Sequence, residues 1–190
     1  MFCLESTTDP RWIAVVVADT DRLLADHAYC EKKAAATAMS LIGKYPNDAF
    51  LVPHMLKLAQ EELEHFERLY GVLAARGIQL GYVDKDPYVG ELLPLARKQG
   101  VEGLIDRLLI SSLIEARSAE RFFLLAEHLP DAELRALYQE LAVTESRHHT
   151  LFVTLANHYA PKDEVRARLK ELAVEEAAIV ARLPIAARMH

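Results

Sequence analysis

Two Glu-x-x-His pairs are the residues of this sequence best suited to chemistry: Glu62 with His65, and Glu145 with His148. Residues three apart in an α-helix lie on the same face, one turn apart, so each pair can present a carboxylate and an imidazole together. Both groups are ligands for transition metals. Each pair therefore predicts part of a metal site.

Each pair also interrupts an apolar stripe at helical spacing. The apolar neighbours are Leu51, Met55, Leu58, Leu69 and Leu73 for the first pair, and Leu134, Tyr138, Leu141, Phe152 and Leu155 for the second. A Glu-x-x-His pair alone is weak evidence, because both residues also occur on solvated helix faces. A buried carboxylate without a counter-charge is costly, so pairs set among apolar residues indicate bound cations.

The chain also supplies the further carboxylates that a two-metal helical bundle needs from its other two helices. Glu31 lies 31 residues before Glu62, and Glu115 lies 30 residues before Glu145. The sequence thus repeats one unit, a helix with Glu followed by a helix with Glu-x-x-His. This repeat predicts a dinuclear metal site with six ligands: Glu31, Glu62, His65, Glu115, Glu145 and His148.

Other polar residues are candidates for supporting the ligands. His27 stands one turn before Glu31 and is interpreted either as a core residue or as a support for the metal site. Metal-bound imidazoles usually donate their second N–H to a carboxylate, and Asp106 or Glu61 is the predicted acceptor.

Cap and turn residues predict the order of the helices. A short helix is expected from about Asp9 to Ala18, followed by a four-helix bundle over about residues 20–159. The segment from Leu80 to Gly100, rich in Gly and Pro, is too long for a hairpin between neighbouring helices. It predicts the single long crossover of ferritin-like bundles, between bundle helices two and three, with a short helix near Tyr88–Lys98.

The sequence predicts extra helices that flank this bundle. A fifth long helix is expected over about residues 162–183, packed outside the four-helix bundle, and the tail Pro184–His190 is expected to be disordered. With 190 residues, 52% of them hydrophobic, the chain suits one all-α domain spanning residues 1–190.

The composition of the chain limits its expected cellular location and its expected binding partners. No apolar run reaches membrane-spanning length, and the N-terminus lacks the features of a secretion signal. Two cysteines are too few for a disulfide framework, which favours a cytoplasmic location. A net charge of −6 argues mildly against binding nucleic acid through overall charge. Two divalent ions would offset about four of these charges, so RNA binding would require only a local basic patch.

Six oxygen- and nitrogen-donor ligands favour iron or manganese over zinc or copper. A site of this kind can activate oxygen for hydroxylation, oxidise iron for storage, turn over peroxide or generate a radical. The ligands alone do not choose among these reactions, because function depends on the surrounding pocket.

Four segments carry a resemblance to a known family: Asp26–Ala35, Leu58–Phe66, Ile114–Phe122 and Thr144–His148. The third, Ile-Glu-Ala-Arg-Ser-x-Glu-Arg-Phe, is the most specific. Together they resemble the bacterial tRNA 2-methylthio-N6-isopentenyladenosine hydroxylases of the MiaE type, and the likeness extends from about Trp12 to Ile179. Two positions depart from that family's usual residues: Ala119, often Cys, and Thr144, often Ser. Neither is a predicted ligand.

The resemblance implies a non-haem di-iron monooxygenase with two Fe ions and O₂ as co-substrate. It would hydroxylate the isopentenyl group of the modified adenosine beside the tRNA anticodon. Two electrons would come from an external donor, such as a ferredoxin or a flavin reductase system.

A prenyl group requires apolar side chains around it, whereas an RNA loop requires cations on the protein surface. Apolar side chains expected near the prenyl group are Leu108, Phe122, Leu125 and Met39. Cations expected to contact the RNA are Lys32, Lys33, Lys44, Arg68, Arg97 and Lys98. Tyr82 and Tyr88 are candidates either for stacking on a base or for packing inside the protein.

Two other classes of function compete with hydroxylation. A ferritin-like ferroxidase, iron-storage or peroxide-handling protein would use the same ligands without an organic substrate. A long irregular crossover and an extra C-terminal helix are awkward for assembly into a storage cage. A helical bundle without metal would tolerate apolar residues at all six predicted ligand positions.

Overall fold

The computed structural model describes residues 3–81 and 85–190, and over these residues the chain forms seven α-helices and no β-strand. The helices are α1 Arg11–Ala18, α2 Thr20–Lys44, α3 Leu51–Ala75, α4 Pro87–Leu92, α5 Gly100–His128, α6 Ala132–Tyr159 and α7 Lys162–Arg182. A 3-10 turn, Leu93–Leu95, follows α4. The predicted all-α class and helix order are confirmed.

Local sequence signals explain where several helices begin and end. Asp19, Asp86 and Asp131 each accept a hydrogen bond from a backbone N–H in the first turn of α2, α4 and α6 respectively. Such caps satisfy N–H groups that have no partner inside the helix, and each typically contributes about 1 kcal/mol. After α3, Gly77 adopts a φ of 67°, which favours glycine, and Ile78 donates a hydrogen bond back into the last turn of α3.

Within the described chain, contacts between residues divide the structure into two units. The α2–α3 unit comprises the described residues of Ala18–Asp84 together with Ala187–Met189. The α5–α7 unit comprises the described residues of Met1–Val17 and Lys85–Ala186 together with His190. The expectation of a single domain over residues 1–190 stays a prediction.

In the α2–α3 unit, the two long helices pack against each other through their apolar stripes. The stripe of α2 is dominated by small residues, including Ala28, Ala35 and Ala38, and all three are buried. Small side chains let a neighbouring helix approach closely, and α3 supplies larger residues opposite. These are Leu51, Met55, Leu58, Leu69 and Leu73, all of them buried.

In the α5–α7 unit, α5 packs against both α6 and α7. Eighteen of the 29 residues of α5 are buried, so this helix is covered on most of its circumference. The rings of Phe122 on α5 and Tyr138 on α6 lie 5.4 Å apart between centroids. The apolar positions predicted for α7, namely Val165, Leu169, Leu172 and Ile179, are buried.

A buried polar network links the N-terminal segment, α4, α5 and α7 in this unit. Arg117 donates to both carboxylate oxygens of Glu176, each at 2.9 Å, and to Glu120 at 2.5 Å. The hydroxyl of Tyr88 donates to Glu176 at 3.0 Å. The backbone N–H and the hydroxyl of Thr8 donate to the two oxygens of Glu120 at 2.9 and 2.8 Å.

A second ion cluster fastens the end of the crossover to α5 and α7. Asp106, whose side chain is fully buried, accepts hydrogen bonds from the backbone and guanidinium of Arg97 and from the guanidinium of Arg168, at 2.8 to 3.1 Å. Burial raises the pKa of Asp106, but these hydrogen bonds outweigh it and lower the pKa to about 2. Gly103 permits the close approach, because a Cβ there would lie 2.9 Å from the carbonyl oxygen of Arg97.

The prediction that Pro184–His190 is disordered is wrong. In the α2–α3 unit, Met189 is buried and its backbone N–H donates to Asp26 at 2.8 Å. In the α5–α7 unit, the ring of His190 stacks on Tyr88, with centroids 4.9 Å apart and planes 15° apart. These side-chain contacts order a segment whose short, Pro-interrupted sequence carries no helical pattern.

None of the helices in residues 3–81 and 85–190 combines the length and the apolarity that a membrane crossing requires.

Candidate metal centre

Three of the predicted ligands come together in the α2–α3 unit. Glu31 extends from α2, and Glu62 and His65 extend from adjacent turns of α3; all three are buried. One ligand atom from each lies within 4.8 Å of the others. The Nδ1 atom of His65 is 3.4 Å from Oε2 of Glu31 and 3.5 Å from Oε2 of Glu62. Helical spacing within α3, and the packing of α3 on α2, produce this convergence.

A fourth polar side chain of the α2–α3 unit contacts this cluster. The ring Nε2 of His27 lies 2.6 Å from Oε1 of Glu31, and both side chains are almost fully buried. The interpretation of His27 as a residue that supports a ligand therefore agrees with its position.

The other three predicted ligands come together in the α5–α7 unit. Glu115 extends from α5, and Glu145 and His148 extend from adjacent turns of α6; all are buried. One ligand atom from each again lies within 4.8 Å of the others. The Nδ1 atom of His148 is 3.1 Å from Oε2 of Glu145.

Each unit thus contains one copy of the sequence repeat and one cluster of two carboxylates and one imidazole. Two buried carboxylates at short range repel each other and have lost most of their hydration, so such a cluster favours a bound cation. Neither cluster includes a thiolate. The donor set fits iron, which accepts mixed oxygen and imidazole ligation, better than it fits ions that select sulfur.

The prediction that Asp106 accepts a hydrogen bond from a ligand imidazole is wrong. Its carboxylate is bound by Arg97 and Arg168, in the ion cluster described above. The alternative, Glu61, is half-buried and pairs with Lys57 at 3.5 Å. The signal for the Asp106 cluster was absent from the local sequence, because Arg168 lies 62 residues further along the chain.

The predicted RNA-contacting cations are all exposed, but they belong to different parts of the chain. On α2 and α3 these are Lys32, Lys33, Lys44 and Arg68; at the end of the crossover they are Arg97 and Lys98. Two of the lysines lie over aromatic rings: the Nζ of Lys32 is 5.5 Å from the ring centre of Tyr29, and that of Lys44 is 5.3 Å from Tyr45. The guanidinium of Arg97 is already bound by Asp106 and Glu102, which limits its availability to RNA.

The residues predicted to stack on a base or to contact the prenyl group differ in how buried they are. Tyr82 lies outside the described residues. Tyr88 is 1% exposed and binds Glu176, which agrees with the packing role and not with stacking on an RNA base. Met39 is 51% exposed, which excludes it from a buried apolar pocket. The other predicted apolar residues, Leu108, Phe122 and Leu125, are buried on α5.

Comparison with known proteins gives consistent results across the whole chain. Residues 1–190 match the family described as tRNA-(MS2IO6A)-hydroxylase (MiaE). A curated protein of Pseudomonas putida, named tRNA 2-(methylsulfanyl)-N(6)-isopentenyladenosine(37) hydroxylase, is 41% identical over 165 residues, covering 87% of this chain and 80% of the relative. A protein of the same name from Salmonella typhimurium is 30% identical over 205 residues, covering 83% and 75%.

Similarity to solved structures extends over the full chain, as one example shows. That structure is described as Protein 43 with aldehyde deformylating oxygenase activity, from Synechococcus, and has a TM-score of 0.95 and 36% identity. The match covers 100% of this chain and 96% of that protein. This likeness confirms the ferritin-like fold class predicted from the sequence.

Proposed function

Because the chain belongs to the MiaE family of tRNA-(MS2IO6A)-hydroxylases, we propose that it hydroxylates the isopentenyl group of 2-(methylsulfanyl)-N6-isopentenyladenosine in tRNA, next to the anticodon. The observation that carries this proposal is the family match over residues 1–190, supported by 41% identity to a curated hydroxylase of that name. The reaction is an oxygen-dependent hydroxylation.

We further propose that the six predicted ligands together hold two Fe ions. The support is that each unit gathers three of them, in buried positions, with a donor set that suits iron. Bound iron would supply the activation of O₂, and with two external electrons and two protons one oxygen atom would enter the substrate C–H bond and the other would leave as water. A ferredoxin or flavin reductase system is the proposed source of the electrons, and the cytoplasm, where tRNA is modified, is the proposed location.

The chain's own residues have three tasks in this proposal. Carboxylates and imidazoles hold the metal ions, and the apolar stripes around them exclude water from the site. Leu108 and Phe122 lie seven residues before and after Glu115, on the same face of α5, and are buried. We propose that this face contacts the prenyl group, whose apolar character matches it.

The RNA itself requires cations at the surface. The exposed Lys32, Lys33, Lys44, Arg68 and Lys98 are proposed as phosphate contacts, with Arg97 restricted by its ion pairs. Substitution of a phosphate contact would weaken RNA binding at all sequences and lessen its dependence on salt.

The deciding experiment is mass spectrometry of tRNA nucleosides from a host that makes the methylthio-isopentenyl modification, with and without this gene. The proposal expects the nucleoside to gain the mass of one oxygen atom only when the gene is present and Glu115 is intact. Glu127→Ala, which changes an exposed acid on the same helix, serves as the matched control. If a strain that produces folded, iron-loaded protein still contains the methylthio-isopentenyl nucleoside without the added oxygen atom, the proposed substrate is contradicted.

A second candidate function follows from the 36% identical Synechococcus protein, whose description names aldehyde deformylating oxygenase activity. This activity would use the same metal ligands on an apolar aldehyde instead of a prenylated nucleoside. Incubating the iron-loaded protein with a long-chain aldehyde, O₂ and a reductant would reveal a hydrocarbon one carbon shorter. Oxidation of added Fe²⁺ without turnover of either organic substrate would instead indicate a ferroxidase.

A further inference from the structure

His27 and Glu31 form a hydrogen-bonded pair within α2, and the two carboxylate oxygens of Glu31 have different neighbours. The Nε2 atom of His27 lies 2.6 Å from Oε1 of Glu31. Oε2 of the same carboxylate lies 3.4 Å from Nδ1 of His65, the imidazole ligand on α3. One oxygen thus faces the protein and the other faces the metal ligands of its own unit.

The chemistry of the pair fixes which atom donates. When Glu31 binds a metal ion its carboxylate is ionised and only accepts hydrogen bonds, so Nε2 of His27 would then carry the hydrogen and donate it to Glu31. Hydrogen bonds to a charged acceptor are short and strong, and a low-polarity interior strengthens them further. His27 is 0% exposed and Glu31 is 4% exposed, so water does not compete freely for this contact.

The second repeat lacks this pair. Glu115 is the counterpart of Glu31, and the residue four positions before it is Ser111, not histidine. Ser111 is buried as well, with 8% exposure. The hydroxyl of serine sits next to its Cβ, whereas Nε2 lies at the far edge of an imidazole ring. The two copies of the repeat therefore provide the same ligands but different support for their first carboxylate.

We propose that His27 is a positioning residue: it binds Oε1 of Glu31 and so leaves Oε2 of that carboxylate directed at the metal ion. The metal position of the α2–α3 unit then has a higher affinity for its ion than the position of the α5–α7 unit. A carboxylate held in one orientation before binding loses less conformational freedom when the metal arrives. Partners of this kind change metal affinity by about 10- to 100-fold. The two metal positions are then unequal and fill in a defined order.

This inference rests on the proposed pair of metal ions but not on the proposed tRNA substrate. It is tested on the full-length protein after removal of metal, by anaerobic calorimetric titration with Fe²⁺ alone. The unaltered protein is expected to bind two ions with separable affinities. Glu31→Gln should abolish the tighter event and Glu115→Gln the weaker one, which assigns each event to its unit.

Three substitutions of His27 separate positioning from packing. His27→Leu keeps an apolar volume but removes the donor, and it should weaken the tighter event by about 10- to 100-fold while leaving the weaker event nearly unchanged. His27→Gln places an amide N–H close to the position of Nε2 and should restore most of the affinity. His27→Asn is too short to reach Glu31 and should behave as His27→Leu does.

The matched control is His54→Leu, which removes a helical histidine that bonds the carbonyl of Phe50. It should leave both binding events unchanged. The inference would be overturned if His27→Leu bound the first ion as tightly as the unaltered protein. It would also be overturned if His27→Gln and His27→Asn lost the same amount of affinity. If the Leu variant does not fold, the comparison of the Gln and Asn variants decides the question. Failure of the unaltered protein to bind two ions would overturn both the inference and the proposed metal site. Two normal binding events without tRNA hydroxylation would count against the proposed substrate alone.

Discussion

Arg117 and Glu176 face each other in the interior of the α5–α7 unit, where two guanidinium N–H groups meet two carboxylate oxygens at 2.9 Å. Neither side chain is exposed. Burying such a pair costs desolvation energy, which is recovered only while both partners and their hydrogen bonds are present. The pair therefore fixes α7 on α5, two residues from the predicted ligand Glu115.

Replacing Arg117 by Leu should destabilise the protein by about 3 to 5 kcal/mol, because Glu176 is left as an uncompensated buried charge. Replacing both residues by Leu should cost less than the single change. Urea unfolding, monitored by the circular dichroism signal of the helices, measures the free energy of unfolding of both variants. The matched control, Arg166→Leu, breaks an exposed pair with Asp163 and should change stability by less than about 1 kcal/mol. A double variant less stable than Arg117→Leu would contradict this account.

Glu115→Ala should reduce bound iron and abolish hydroxylation while leaving helix content near normal. The carboxylate is a predicted ligand, and alanine is a good helix former, so the helix itself is preserved. Iron analysis, nucleoside mass spectrometry and circular dichroism give the three readouts. Full activity of this variant would remove Glu115 from the ligand set.

Glu145→Gln should not destabilise the metal-free protein, but it should destabilise the iron-loaded protein. In the metal-free protein it removes a buried negative charge that is 1% exposed, which should be neutral or stabilising by about 1 kcal/mol. In the presence of iron the unaltered protein gains stability from binding that the variant loses. Thermal unfolding under both conditions tests this, with the exposed Glu140→Gln as control. A variant destabilised without metal would indicate that Glu145 has a structural role instead.

Asp106 should make stability depend on acid pH. Its pKa falls from the usual 3.8 to about 2 in the folded protein, so the unfolded chain binds the proton more readily. The stabilisation is complete above pH 4 and is lost as pH falls through 2. Asp106→Asn should lower the free energy of unfolding at pH 6 by about 1 to 2 kcal/mol, and this difference should shrink below pH 4. Urea unfolding at several pH values checks it; a difference independent of pH would contradict it.

The sequence was sufficient to predict which carboxylates and imidazoles cluster, because helical periodicity is local; that they bind metal stays a prediction. Glu62 and His65 are one turn apart on a helix that three-residue spacing and an apolar stripe both define, and the structure places them together. The same holds for Glu145 and His148. The comparison of the two repeats then predicted Glu31 and Glu115, and each lies in the cluster of its own unit.

Contacts between residues distant in sequence could not be predicted in this way. Asp106 has the acidity and the position of a partner for histidine, but its arginine partners include one 62 residues away. The sequence left Tyr88 with two possible roles, stacking on RNA or packing, and its partner Glu176 is 88 residues away. Periodicity reports which face of a helix is buried; it does not report which distant side chain covers that face.

The contact between Thr8 and Glu120 has a consequence for synthesis on the ribosome. The two residues are separated by 112 positions, so the N-terminal segment leaves the ribosome long before its partner is translated. The helices α2 and α3, by contrast, are neighbours in the chain and can pair as soon as both have emerged. The segment before α1 is therefore translated long before Glu120, and it can make this contact only after α5 has been translated. Until then, Glu120 and Arg117 lack that part of their final surroundings.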